Sequence, residues 1–296
     1  MNPKGFLYIL AAAFMWALIG VFTKYILAEG ISALEIAFWR ASIAWVLFLI
    51  HATAQRQLKI HRTDLPALLG FGVICVTLFY GSYQVAIRDV GVALAAVLLY
   101  TAPAWVAVMS WLLLKERMTK TKAACVTMTI LGVASISLGP QLMGSGGITL
   151  NWFGLAAGLV AGFTYALYYI FGKAFLYRYP TPTIFVYAIP FGALLLLPFI
   201  DFAHKSPQAW LLLIGLAAVT SYGAFSVYYA GLKHLEATQA SVIATFEPMM
   251  AAIFAYMLFG EKFSVYGYAG STMIIAAVLL VVLSGSRASR AATEER

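Results

Sequence analysis

The residues of this chain best suited to chemistry are few, and most lie inside long apolar runs. Glu247 stands in the middle of one such run, directly before Pro248. There it can bind an ammonium group or carry a proton, and its structural alternative is a hydrogen-bonded packing residue beside a kink. Arg40, five residues after Glu35, can receive a carboxylate bidentately; as a long cation near a membrane face it is expected to snorkel outward or pair with a neighbour. Tyrosine and tryptophan, which offer a flat apolar face together with a polar tip, recur away from the ends of the runs. Tyr80, Tyr83, Tyr100 and Trp105 in the first half, with Tyr165, Tyr168, Tyr169, Tyr222, Tyr228 and Phe246 in the second, can wall a pocket. Of these, Tyr83, Tyr100, Trp105, Tyr228 and Phe246 join Glu247 as the expected substrate-binding set. Pro103 and Pro248 each remove a backbone hydrogen bond and are expected to kink their helices. Lys24 and Lys173 are candidate gate residues or ordinary interfacial anchors.

Other chemistries lack their residues. His51, His61, His204 and His234 all fall at run ends or in connections, so neither a metal site nor a histidine relay is expected within the runs. Cys75 and Cys125 lie within apolar runs and read as small buried hydrophobes. No phosphate-binding glycine loop is present, and no nucleophile, base and orienting acid cluster together. Neither a cofactor nor an enzyme activity is expected.

The elements that must position these residues follow from composition. Of 296 residues, 63% are hydrophobic and 10% charged, and the mean hydropathy is +0.90, far from the roughly 25% charged residues of a soluble domain. The apolar residues gather into runs of about 20, enough for an α-helix to cross roughly 30 Å of hydrocarbon. Expected spans cover about 5–28, 33–52, 64–86, 91–114, 121–139, 152–176, 181–201, 207–231, 237–259 and 264–284. Lipid requires the backbone to be satisfied within each span, so helices are expected. The net charge of +8 is scattered over short connections and forms no nucleic-acid patch. The first run, preceded by Lys4 and lacking a small-residue cleavage site, reads as a retained span. Fourteen Lys and Arg residues fall on the side of the N-terminus and four on the other, Arg40 lying within a span, which predicts cytoplasmic termini.

The chain also matches itself. An offset of 145 residues pairs Tyr83 with Tyr228, Arg88 with Lys233, Pro103 with Pro248, Glu116 with Glu261 and Arg117 with Lys262; an offset of 149 pairs Phe14 with Phe163, Phe22 with Phe171 and Lys24 with Lys173. Five spans per half is odd, so the halves enter the membrane from opposite sides. The expected architecture is an all-α integral membrane protein whose ten transmembrane helices form two inverted five-helix repeats, 5–139 and 152–284, around a central cavity. A stripe of Gly154, Gly158 and Gly162 is expected to pack closely against a neighbouring helix.

The stretch PAWVAVMSWLLLKERMT from Pro103 to Thr119 and its partner EPMMAAIFAYMLFGEKFS from Glu247 to Ser264 resemble the paired signature of the drug/metabolite transporter superfamily, in its EamA branch. Phe38 to Arg40, reading FWR, together with Lys24, Lys173, Gly132 and Val133, supports the resemblance, which covers nearly the whole chain. It implies a secondary transporter that exports small metabolites by alternating access. Among members of that family the chain resembles aromatic amino-acid exporters of the bacterial inner membrane, and so implies aromatic and other neutral amino acids, such as threonine or methionine, as substrates. The partners implied are a small amino-acid-like molecule and the lipid bilayer, with a monomer sufficient. The alternatives are a carrier of phosphorylated or nucleotide-linked sugars, which needs more cations at mid-membrane than Arg40 alone, and an integral-membrane enzyme.

Overall fold

The structure, a computed structural model, describes residues 2–143, 151–260 and 265–294. Glu261 and Lys262, paired with Glu116 and Arg117 by the sequence offset, lie outside the described residues. Fourteen α-helices follow in order: α1 Pro3–Ala17, α2 Ile19–Ala28, α3 Ala33–Ala54, α4 Leu65–Gly72, α5 Phe79–Leu99, α6 Ala102–Leu113, α7 Lys120–Met143, α8 Trp152–Phe175, α9 Thr181–Leu194, α10 Pro207–Ala217, α11 Ala224–Leu232, α12 Ala237–Ala244, α13 Phe246–Phe259 and α14 Val265–Glu294. No strand occurs among the described residues.

Among the described residues, eight helical stretches are long and apolar enough to cross a membrane. Two shorter apolar helices, Ala102–Leu113 and Thr181–Leu194, accompany them. The chain is thus a multi-pass membrane protein. Two of the expected spans, 64–86 and 91–114, are joined without a conventional loop. The chain reverses at Gly91, whose φ of 82° and ψ of 160° suit glycine and strain any other residue. Expected span 181–201 forms only the 14 residues of α9 before a 3-10 turn at Leu197–Phe199.

Polar side chains start the helices where orphan N–H groups need partners. The Asn151 side chain accepts from Phe153 and Gly154 N–H at the start of α8, Ser32 accepts from Glu35 N–H at α3, and Ser206 from Ala209 N–H at α10. Large apolar residues such as Trp111, Leu113, Leu211 and Met257 are exposed on the perimeter, as contact with lipid requires. The glycines of α8 allow its backbone to approach α5: a Cβ at Gly162 would lie 2.5 Å from the Leu98 carbonyl, and one at Gly158 would lie 2.5 Å from Leu98 Cδ1.

Three of the expected spans are interrupted. Span one breaks at Leu18, between α1 and α2. The fourth apolar run breaks between Tyr100 and Ala102, and the ninth at Thr245. Pro103 and Pro248 sit in the first turn of the helix that resumes, where the missing N–H leaves no bond unmade. The prolines therefore mark clean helix starts after a break, not kinks within a continuous ladder. Single turns of π-helix occupy Val73–Leu78 and Ala218–Gly223; their starts, 73 and 218, are separated by 145 residues. Tyr100 and Thr245, the break residues, are separated by the same offset.

Candidate functional site

The widened π turns and broken helices meet around a cavity of about 190 Å³, more than ten times the roughly 10–15 Å³ that one water requires. Each surrounding element contributes. Trp16 and Ile19 flank the break in span one, Arg40 comes from α3, and Phe79, Tyr80 and Tyr83 follow the first π turn. Leu99 and Tyr100 sit at the fourth-run break, and Tyr165 and Tyr168 on α8; Phe225 follows the second π turn, and Glu247 opens α13.

Aromatic faces make most of this wall. Phe79 stacks on Tyr83 and on Tyr165, with ring centroids 6.1 Å and 5.6 Å apart, and Tyr168 stacks on Phe225 at 5.2 Å. Two charged groups interrupt it. Arg40 turns inward instead of snorkelling: its Nε donates to Ser221 Oγ at 2.7 Å, and its guanidinium lies 6.0 Å from the centre of the Tyr80 ring. Glu247 faces Arg40 and the Tyr100 hydroxyl across the cavity. Among the described residues, no ion pair joins Arg40 to Glu247. The cavity thus presents one cation and one carboxyl group at separate points of an aromatic wall.

Four expected site residues, Tyr83, Tyr100, Glu247 and Arg40, line this cavity together. Trp105, Tyr228 and Phe246 do not. Trp105 projects from the second turn of α6 against Phe163, edge-on at 5.4 Å. Tyr228 lies behind the wall, 1% exposed, between Trp16 and Tyr169, and its hydroxyl has no hydrogen-bond partner among the described residues. Phe246 packs on the hydrophobic core one residue before Glu247.

The candidate gate lysines occupy opposite ends. Lys173 Nζ donates to the carbonyls of Leu232 and Leu235, the former at 2.7 Å, binding the C-terminus of α11. Lys24 lies 3.7 Å from the centre of the Phe259 ring. Around Lys173, on the face that carries the N-terminus, Glu116 accepts from Ala237 N–H at 2.7 Å, Thr238 N–H at 3.3 Å and Thr238 Oγ1 at 3.0 Å. Beside it Lys122 forms an ion pair with Glu236. These bonds fasten the connection after α6 to the start of α12, beneath the cavity.

Sequence reasoning missed Trp16, Ile19, Phe79, Leu99 and Phe225. The spacing of Phe79, Tyr80 and Tyr83 puts Phe79 and Tyr83 on one helical face, and that signal could have added Phe79. Phe225 and Trp16 carry no such mark, since every face of an apolar span reads alike.

Comparison with known proteins agrees with this architecture. A sequence profile of the EamA-like transporter family matches residues 3–138 and 152–283. An uncharacterized transporter of Archaeoglobus fulgidus is 32% identical over 72% of this chain and 75% of its own length. The uncharacterized inner membrane transporter YicL of Salmonella typhimurium is 24% identical over 98% of each chain. A solved crystal structure shares the fold with a TM-score of 0.83 over 97% of this chain and 99% of its own, at 16% identity.

Proposed function

The chain belongs to the EamA-like transporter family, and from that premise we propose that it is a secondary transporter exporting aromatic and other neutral amino acids, such as threonine or methionine, and similar small metabolites. The observation that carries this reading is the unpaired arrangement of Arg40 and Glu247 in one aromatic-walled cavity. A zwitterion places its carboxylate on the guanidinium and its ammonium on the carboxylate, and its apolar side chain stacks on tyrosine. Glu247 also offers a group on which a coupled proton can ride. A carrier of phosphorylated sugars needs several cations around the phosphate, and among the described residues Arg40 is the one cation in the lining.

In this reading the chain comprises two inverted five-helix repeats, 5–139 and 152–284, that rock about the cavity and expose it to each side in turn. Three observations support it: the π turns 145 residues apart, the helix breaks at Tyr100 and Thr245 with the same separation, and the two family matches, one per half. The membrane is the bacterial inner membrane, with cytoplasmic termini, following the fourteen to four excess of Lys and Arg. The polar bonds of Glu116, Lys122 and Lys173 then close the cytoplasmic side. The residues given for the cavity wall come from one chain, which supports a monomer as the transporting unit. Export, as opposed to uptake, rests on the family resemblance.

Purified protein in liposomes, offered labelled phenylalanine, methionine and threonine with and without a pH gradient, tests the proposal. Flux of at least one amino acid is expected, with Glu247→Gln abolishing its response to the gradient. Flux indifferent to pH in both proteins would remove proton coupling. Movement of a phosphorylated compound, with none of the amino acids, would overturn the substrate class.

A further inference from the structure

A second, smaller cavity of about 30 Å³ adjoins the first, and Tyr80, Tyr168 and Phe225 line both. It lies between the two π turns, with Cys75 and Val76 on one side and Ser221 on the other. Ala41 and Ala44 of α3 and Ala188 and Ile189 of α9 close it. The void persists because its frame cannot contract. A Cβ at Gly72 would sit 1.8 Å from the Ala188 carbonyl oxygen, so α9 and the helix entering the first π turn already touch backbone to backbone.

Three of the four polar side chains at its edge are engaged elsewhere. Tyr168 donates to the Cys75 carbonyl, the Cys75 thiol to the Thr164 carbonyl, and Ser221 Oγ accepts from Arg40. The fourth is Tyr80, which also lines the larger cavity, and the remaining side chains of the wall are hydrocarbon. A water needs about 10–15 Å³ and two to four polar partners, so this space suits two or three apolar heavy atoms better than water.

The Arg40–Ser221 bond fixes where the two cavities meet, since Arg40 lines the larger and Ser221 the smaller. A carboxylate held by Arg40 therefore starts its side chain beside the mouth of the small pocket. We infer that this pocket selects the transported amino acid by its side chain, receiving the apolar end of an aromatic or long aliphatic group, with Ala41 and Ile189 setting the depth. The inference rests on the amino-acid reading of the larger cavity.

The test compares liposome flux of phenylalanine, tryptophan and threonine in wild type, Ala41→Leu and Ile189→Ala. Filling the pocket with Ala41→Leu should lower the phenylalanine-to-threonine flux ratio about tenfold, the usual discrimination for a methylene-sized change in an apolar pocket. Emptying it with Ile189→Ala should raise the tryptophan-to-phenylalanine ratio several-fold, and that arm decides the matter if the leucine variant does not fold. Ratios unchanged in the folded variants, or all substrates falling together, would overturn the inference while leaving the amino-acid reading intact. Wild-type liposomes that move no amino acid would strike that reading itself, and the pocket's role with it.

Discussion

Replacing Glu116 by glutamine perturbs the joint between the halves without touching the cavity. Its carboxylate accepts three hydrogen bonds at the start of α12, from two backbone N–H groups and the Thr238 hydroxyl. The amide keeps one acceptor oxygen but loses the second, and with it the negative charge at the positive end of a helix dipole. Losing such a cap and charge costs about 1–2 kcal/mol, a factor of about 5–30 in an equilibrium constant. If these bonds hold the cavity closed on the side of the termini, the population open to that side rises by that factor. A cysteine at Leu99, in the cavity wall, reports the change in a background where Cys75 and Cys125 are alanine. Labelling by a membrane-impermeant thiol reagent applied to the terminal side should accelerate about tenfold in Glu116→Gln. Labelling from the opposite side should slow or stay constant. An unchanged rate, or equal acceleration from both sides, refutes the assignment of Glu116 to closure.

Three further substitutions probe other parts of the argument. Ser221→Ala removes the 2.7 Å bond that aims Arg40; a loss of about 1 kcal/mol should raise the KM for amino acids about fivefold with the maximal flux little changed. Lys205→Met strands the buried carboxylate of Glu35, which Lys205 approaches at 2.5 Å while Ala203 N–H and Trp39 Nε1 donate to it. Breaking a buried pair on one side costs about 3–5 kcal/mol, so the fraction surviving heating in detergent, read by size exclusion, should fall sharply, and Glu35→Gln in the same chain should restore part of it. Gly91→Ala forces a φ of 82° on a residue with a Cβ; a penalty of about 1–3 kcal/mol should appear in the same heating assay.

Much of the architecture was legible because lipid leaves a chain few options. A run of twenty apolar residues has to become a helix, and among the described residues eight stretches are helices long enough to cross a membrane, while 181–201 forms a helix of only 14 residues. The breaks were partly legible too: Pro103 and Pro248 marked them, though as helix starts and not as kinks. The π turns left no trace, since Val73–Leu78 and Ala218–Gly223 sit within predominantly apolar runs that lack a regular polar stripe, so a shift in helical period changes no pattern. Site residues divide along the same line. Glu247 and Arg40 stood out because charge is costly in hydrocarbon, and both face the cavity. Arg40 turns inward because of Ser221, 181 residues away in sequence, a partner that no local pattern announces. Trp105 and Tyr228 were indistinguishable by type from Tyr83 and Tyr100, and only packing separates wall from backing.

The matched π turns bear on history as well as mechanism. A π turn arises when one residue is inserted into an α-helix and the chain absorbs it as a local bulge. Two such insertions at positions 145 residues apart, one in each half of the proposed repeat, are more simply one event than two. If the halves descend from a single five-helix ancestor, the insertion entered that ancestor before the halves were fused. The small pocket between the two turns would then be older than the single-chain protein, formed first where two copies of a half-sized protein met.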